Sequence, residues 1–219
     1  MKKLVIFDLD GTLLDTIEDL GKACNHALVQ CGFPERRMDE YNMLVGRGIM
    51  NLFRKALPEG AGTEENALRM REHFVPYYNE HNRDFTKPYP GIPELLDSLS
   101  SAGVSLAVAS NKYQEGTEML VRHYFGKYRF ACILGQREGR PIKPDPEIVR
   151  EAMAAAGAGK EEVVYCGDSD VDMATGMNAG VCTIGVTWGF RTREELLAYG
   201  PDLLADTPLD ISEFVFKTI

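Results

Sequence analysis

At 219 residues, 44% hydrophobic and 26% charged, the chain has the composition of an ordinary globular protein, long enough to bury one good core and a smaller second one. Its formal net charge of -9 argues against nucleic acid or an anionic membrane as the principal partner, while leaving room for a small anionic ligand held by local charge or a metal. The five cysteines, Cys24, Cys31, Cys132, Cys166 and Cys182, are odd in number and include no Cys-x-x-Cys pair, so they read as reduced, buried thiols of a cytoplasmic protein.

The first element is Leu4-Val5-Ile6-Phe7, an unbroken apolar run suited to a strand buried on both faces of a parallel sheet. Only about five apolar residues precede the first acid, too few for a signal peptide or a membrane span. The run ends in Asp8-Leu9-Asp10-Gly11, with both carboxylates at the strand's carboxyl end, where open α/β sheets bind ligands. Two acids this close favour a divalent cation with oxygen ligands, although Asp-x-Asp alone also suits an acidic surface loop.

Thr16 with Asp19 resembles a capping box, and Ile17, Leu20, Cys24, Ala27, Leu28 and Cys31 recur at helical spacing until Gly32. Short helices are predicted over 39–45 and 49–57, on either side of Gly46-Arg47-Gly48. A longer one runs over 63–81, with Leu68, Phe74 and Tyr78 on one side and a kink at Pro76. No strand pattern occurs between residues 16 and 84. From Lys87-Pro88-Tyr89-Pro90-Gly91 onward the pattern changes. A helix over 92–101 is followed by predicted strands at 105–109, 131–134, 163–166, 181–186 and 202–205, alternating with helices near 114–125, 146–156, 171–179 and 194–199. The expected fold is α/β: a Rossmann-like parallel sheet with helices on both faces, formed by residues 1–15 and 85–219, with an all-helical cap domain, residues 16–84, inserted after the first strand.

Polar side chains gather at the predicted strand ends. Ser110-Asn111-Lys112 follows the second core strand, Lys143 stands in Ile142-Lys143-Pro144-Asp145-Pro146, and Gly167-Asp168-Ser169-Asp170-Val171-Asp172 follows Val163-Val164-Tyr165-Cys166. Singly, each has a plainer use: a helix cap at Ser110-Asn111, an exposed loop lysine, an acidic cap around Asp168. Together they set carboxylate, hydroxyl, cation and carboxylate at successive strand ends, a constellation suited to phosphoryl transfer. Asp8 can serve as the nucleophile, with magnesium bridging it, a phosphate oxygen and Asp168. Ser110 and Lys143 can hold the remaining oxygens. Asp10 can protonate the leaving oxygen and then take a proton from water, a role that turns its side chain away from the metal.

These four segments, in this order, resemble the motifs of the haloacid dehalogenase superfamily: Asp8-Leu9-Asp10-Gly11-Thr12, Ser110, Lys143 and the segment from Gly167 to Asp172. The resemblance spans nearly the whole chain. It implies a Rossmann-like core with a helical cap, magnesium dependence, and metal binding through the Asp8 and Asp168 side chains and the Asp10 backbone carbonyl. Asp172 matches the motif's last acid, which in the family usually acts through water or from behind the ligands. The acid at Asp10 favours phosphate over halide chemistry. The β-phosphoglucomutases carry a histidine where this chain has Leu20, and His26 lies too far along the helix to replace it.

Tyr89-Pro90-Gly91 and Ser110-Asn111-Lys112 resemble phosphoglycolate phosphatases and related small-molecule phosphatases. The expected activity is thus magnesium-dependent hydrolysis of a small phosphorylated metabolite through an aspartyl phosphate. A phosphomutase, a pyrophosphatase and a non-catalytic binding protein are the alternatives. No obligatory protein partner is implied. Ser110, Asn111, Lys143 and, from the cap, Arg47 are the candidate substrate-binding residues, Arg47 suiting a carboxylate or second phosphate. The turn-rich connectors around 14–16 and 82–91 are the expected hinges.

Overall fold

In the computed structural model of the protein, which describes residues 2–217, the strands are β1 (Leu4–Phe7), β2 (Leu14–Asp15), β3 (Lys87–Pro88), β4 (Ser105–Tyr113), β5 (Phe130–Gln136), β6 (Val163–Gly167), β7 (Cys182–Val186) and β8 (Leu203–Ala205). Six of them form one parallel sheet in the order β5-β4-β1-β6-β7-β8. β1 is central: Phe7 pairs with Val108 on one side and Cys166 on the other. All four β1 side chains are buried, and the strand's period of two divides them between two cores. Val5 and Phe7 join the cluster formed with helices α5 (Ile92–Ser101), α6 (Gln114–Phe125) and α10 (Pro208–Lys217); Leu4 and Ile6 join that of α7 (Glu147–Ala156) and α8 (Asp170–Ala179). Helix α10 has no counterpart in the sequence reading, although Pro208 at its first position is a recognised start signal.

The helices between the first two core strands have a third core of their own. Leu20, Cys24 and Leu28 of α1 (Ile17–Gln30) pack with Phe53 of α3 (Ile49–Ala56) and Phe74 and Tyr78 of α4 (Glu64–His81), beside the short α2 (Tyr41–Leu44). Phe74 meets Phe53 edge-on at 5.1 Å and stacks on Tyr78 at 5.2 Å. One expected core residue is wrong. Leu68 is 47% exposed, and the buried face of α4 is Ala67, Met70, Phe74 and Tyr78. At 3.6 residues per turn Leu68 lies about 120° round the helix from Phe74, whereas Ala67 and Met70 fall in line with it. Pro76 does not interrupt α4, which continues to His81.

The connectors also differ from expectation. They are not free turns: β2 and β3 pair antiparallel, Leu14 opposite Pro88 and Asp15 opposite Lys87, so the chain leaves and re-enters the sheet layer along one two-stranded ribbon. Thr16 forms no capping bond to α1, and its hydroxyl is buried without a partner. Asp19, expected to complete that cap, instead accepts hydrogen bonds from Thr86 N (2.9 Å), Thr86 Oγ1 (2.7 Å) and Phe85 N (3.1 Å). The pattern Thr-x-x-Asp satisfies a box by spacing alone, but these buried amides, brought close by the ribbon, are the donors the carboxylate meets. Asp19→Ala, which strands them, is expected to cost about 3 kcal/mol of stability in urea unfolding; a loss below about 0.5 kcal/mol, the range of ordinary surface substitutions, would contradict this role.

Candidate active site

The carboxyl ends of β1, β4 and β6 meet beneath the helical block, and each sequence segment that ends there delivers a buried polar side chain. Asp8 follows β1 with its backbone N–H bonded to Cys166 O at 2.9 Å. Lys143 approaches from the loop before α7, through a cis bond to Pro144, and is held by its backbone N–H to Asn111 Oδ1 at 2.8 Å. Its ammonium lies 2.9 Å from Asp8 Oδ1, 2.7 Å from Asp172 Oδ1 and 3.1 Å from the Tyr165 hydroxyl. Asn111 also donates to Gly46 O at 3.0 Å, so this residue, expected to touch substrate, bridges the lysine loop and the helical block.

Asp168 is positioned by Thr12 Oγ1 at 3.1 Å and by the backbone N–H of Phe190 at 2.8 Å. Gly11 and Gly189 lie against its carboxyl so closely that a Cβ on either would overlap it. At Gly11, φ of +88° also suits the turn only to glycine. Asp8, Asp168 and Asp172 bring carboxylate oxygens within 4.8 Å of one another. Both Asp172 oxygens are already engaged, Oδ1 by Lys143 and Tyr165, Oδ2 by the hydroxyl and N–H of Ser169. Asp8 Oδ1, by contrast, is buried without an aligned hydrogen bond. Three carboxylates against one ammonium, with all-oxygen donors, fit a hard divalent cation held by Asp8 and Asp168, with Asp172 behind them.

The electrostatics carry the same imbalance. Burial pushes Asp8 up from an ordinary 3.8 to about 7, with Lys143 opposing the rise and Asp172 adding to it. Asp168 is driven well above the usual carboxylate range by burial and then by its neighbours Asp172 and Asp8. For Lys143, burial acts to lower the value, but the charges of Asp172 and Asp8 outweigh it and hold the ammonium well above its ordinary value.

Asp10 is not part of the carboxylate cluster. Its side chain turns to Lys112, whose Nζ lies 3.1 and 3.2 Å from the two carboxylate oxygens. A cavity opens between Asp8, Asp10 and Ser110 below and Leu20, Val45, Ile49 and Leu52 of the helical block above. Arg47 is not on its wall: the guanidinium pairs with Asp170 at the start of α8. Arg191, from the segment after β7, reaches the other way and donates to the backbone carbonyls of Asn42 and Val45.

Sequence reasoning gave no part in the site to Lys112, Gly189 or Arg191, and read Tyr78 only as helix packing. For Lys112 the signal was present, since a strand's period of two pairs it with Ser110. Nothing local to Gly189 or Arg191 marks them.

The family model of haloacid dehalogenase-like hydrolases matches residues 5–186. A phosphoglycolate phosphatase of Vibrio parahaemolyticus is 32% identical over 219 residues, covering 97% of this chain and 96% of its own. Another, from Caulobacter vibrioides, is 34% identical over 209 residues and covers 94% and 88%. A crystal structure of a Lactobacillus delbrueckii subsp. bulgaricus protein superposes with a TM-score of 0.91 at 34% identity, covering 98% of this chain and 99% of that one.

Two measurements check the geometry. Gly189→Ala is expected to displace Asp168 and to weaken divalent-cation binding by about tenfold or more in calorimetric titration; unchanged affinity would show that Asp168 does not need this close contact. Because the folded-state value of Asp8 lies above its unfolded value, its contribution to stability is present below about pH 4 and lost as pH rises through about 7. Asp8→Asn cannot ionise, so in chelator its stability relative to the parent protein should grow between pH 5 and pH 8, and a flat difference in urea unfolding would contradict the assignment.

Proposed function

The chain belongs to the haloacid dehalogenase-like hydrolase family, and we propose that it is a magnesium-dependent phosphatase for a small phosphorylated metabolite of the phosphoglycolate type. Its relatives in Vibrio and Caulobacter carry that activity in their names. The observation that carries the proposal is the placement of Asp8: a buried carboxylate on the cavity wall, its Oδ1 2.9 Å from the Lys143 ammonium and its oxygens beside those of Asp168 and Asp172. We assign residues 1–15 and 85–219 to the catalytic core and 16–84 to a cap. The separate apolar cluster of the helical block supports that division.

In this reading Asp8 attacks phosphorus opposite the leaving oxygen. The bond from phosphorus to that oxygen breaks as the aspartyl phosphate forms, and Asp10 supplies the proton the leaving oxygen needs. Water then attacks the same phosphorus and gives a proton to Asp10, releasing inorganic phosphate and restoring Asp8. The Ser110 hydroxyl, the backbone N–H groups following Asp8 and the Lys143 ammonium hold the phosphoryl oxygens. Asp8, Asp168 and the Asp10 backbone carbonyl would hold magnesium, which when bound supplies positive charge beside the phosphoryl oxygens. Leu20, Val45, Ile49 and Leu52 form the wall that faces the leaving group. Leu20 also leaves that wall without the histidine of the mutases, so transfer ends in water.

The test is phosphate release from a panel of small phosphoesters and pyrophosphate, compared by kcat/KM. A short carboxylated phosphoester is expected to lead, activity to vanish with chelator and return with magnesium, and Asp8→Asn to lose about 10⁴-fold or more. Near-normal turnover by that variant would remove the covalent mechanism. A bisphosphate requirement without net phosphate release would assign the protein to the mutases instead.

A further inference from the structure

The site contains two buried lysines, and they serve different carboxylates. Lys143 lies on Asp8 and Asp172. Lys112 lies on Asp10, its ammonium astride both oxygens, with side-chain exposures of only 2% and 12%. The remaining partner of Lys112 is not in the sheet layer: it donates to the Tyr78 hydroxyl of α4 at 2.8 Å and lies 4.5 Å from the centre of that ring. Tyr78 is fully buried and stacked on Phe74, so its hydroxyl has little freedom to follow the lysine. The next residue pair repeats the seam, with Tyr113 donating to Asn79 Oδ1 at 2.6 Å. The end of β4 is therefore fastened to α4 at two consecutive positions.

We propose that Lys112 is a positioning residue for Asp10, and that Tyr78 holds Lys112 in that role, so that the proton carrier is correctly set only when α4 is seated on the end of β4. The inference rests on the reading of Asp10 as the acid–base group. A buried ammonium needs partners, and among the described residues Asp10 and Tyr78 are the two it has. With both oxygens of Asp10 facing one cation, rotation of the carboxyl away from the cavity breaks the pair. When Asp10 gives its proton to the leaving oxygen, the carboxylate left behind already faces the ammonium, so the interaction strengthens as the leaving group departs. Among the described residues, no titratable side chain lies on the helical wall of the cavity to substitute for it.

The experiment compares two small substrates in the same variants. An alkyl phosphate such as phosphoglycolate needs a proton on its leaving oxygen, whereas acetyl phosphate, which releases acetate, does not. Lys112→Met is expected to lower kcat/KM for the alkyl phosphate by about 100-fold, with a loss at least about tenfold smaller for acetyl phosphate. Tyr78→Phe keeps the stacked ring and should show the same selectivity at about fivefold, and it decides the question if Lys112→Met does not fold. Equal losses on both substrates would overturn the proposal and leave Lys112 a structural ion pair. Asp10→Asn separates the two levels. If it shows no leaving-group selectivity, the reading of Asp10 itself fails; if it does and Lys112→Met does not, only the role of Lys112 fails.

Discussion

The ammonium of Lys143 is the contact on which the rest of the site depends. Three carboxylates converge where the sheet ends, and Lys143 touches two of them directly. Buried charges persist only when paired, and this lysine is fixed from several sides: by Asn111 through its backbone, by Tyr165 through a hydroxyl and by Asp172 through a carboxylate. Asp172 is in turn saturated by Lys143, Tyr165 and Ser169, which makes it a support for the lysine. The residual negative charge falls on Asp8 and Asp168, the two carboxylates facing the proposed cation.

The sheet explains how residues more than a hundred positions apart come within a few ångströms. β1, at the centre, has β4 on one side and β6 on the other, in parallel registers that bring their carboxyl ends level. Whatever follows those strands must share one crevice. The alternating burial of β1 locks the register, because a one-residue slip would exchange its two cores. The positions of Asp8, Ser110 and Asp168 are thus consequences of hydrophobic packing several residues earlier.

This is why so much is legible in the sequence. Apolar runs ending in glycine and acids announce buried strands and their ligand-binding ends together, so Asp8, Ser110, Lys143 and Asp168 could be grouped from pattern alone. What stayed hidden depends on contacts across the chain. Asp19 obeys the local spacing of a cap, but its donors come from residues 85 and 86. Lys112 sits in a quoted segment, but its importance rests on Tyr78, thirty-four positions away. The partner of Arg47, Asp170, lies 123 positions further along the chain. Leu68 differs for a simpler reason: it is apolar and near the right turn of α4, but not on its buried face.

The ribbon formed by β2 and β3 bears on the history of such a protein as well as its motion. Because the chain departs at Leu14–Asp15 and returns at Lys87–Pro88 on paired strands, the sheet receives the intervening helices as a graft with adjoining ends. Its strand order requires nothing of the graft beyond closure of that junction. Mutation, lengthening or exchange of the helices can therefore retune which leaving groups are admitted while the phosphate chemistry below is inherited unchanged. The side chains crossing the seam, among them Tyr78 and Asn79 to β4, Asn111 to Gly46, Arg47 to Asp170 and Arg191 to Asn42 and Val45, have to be renegotiated each time.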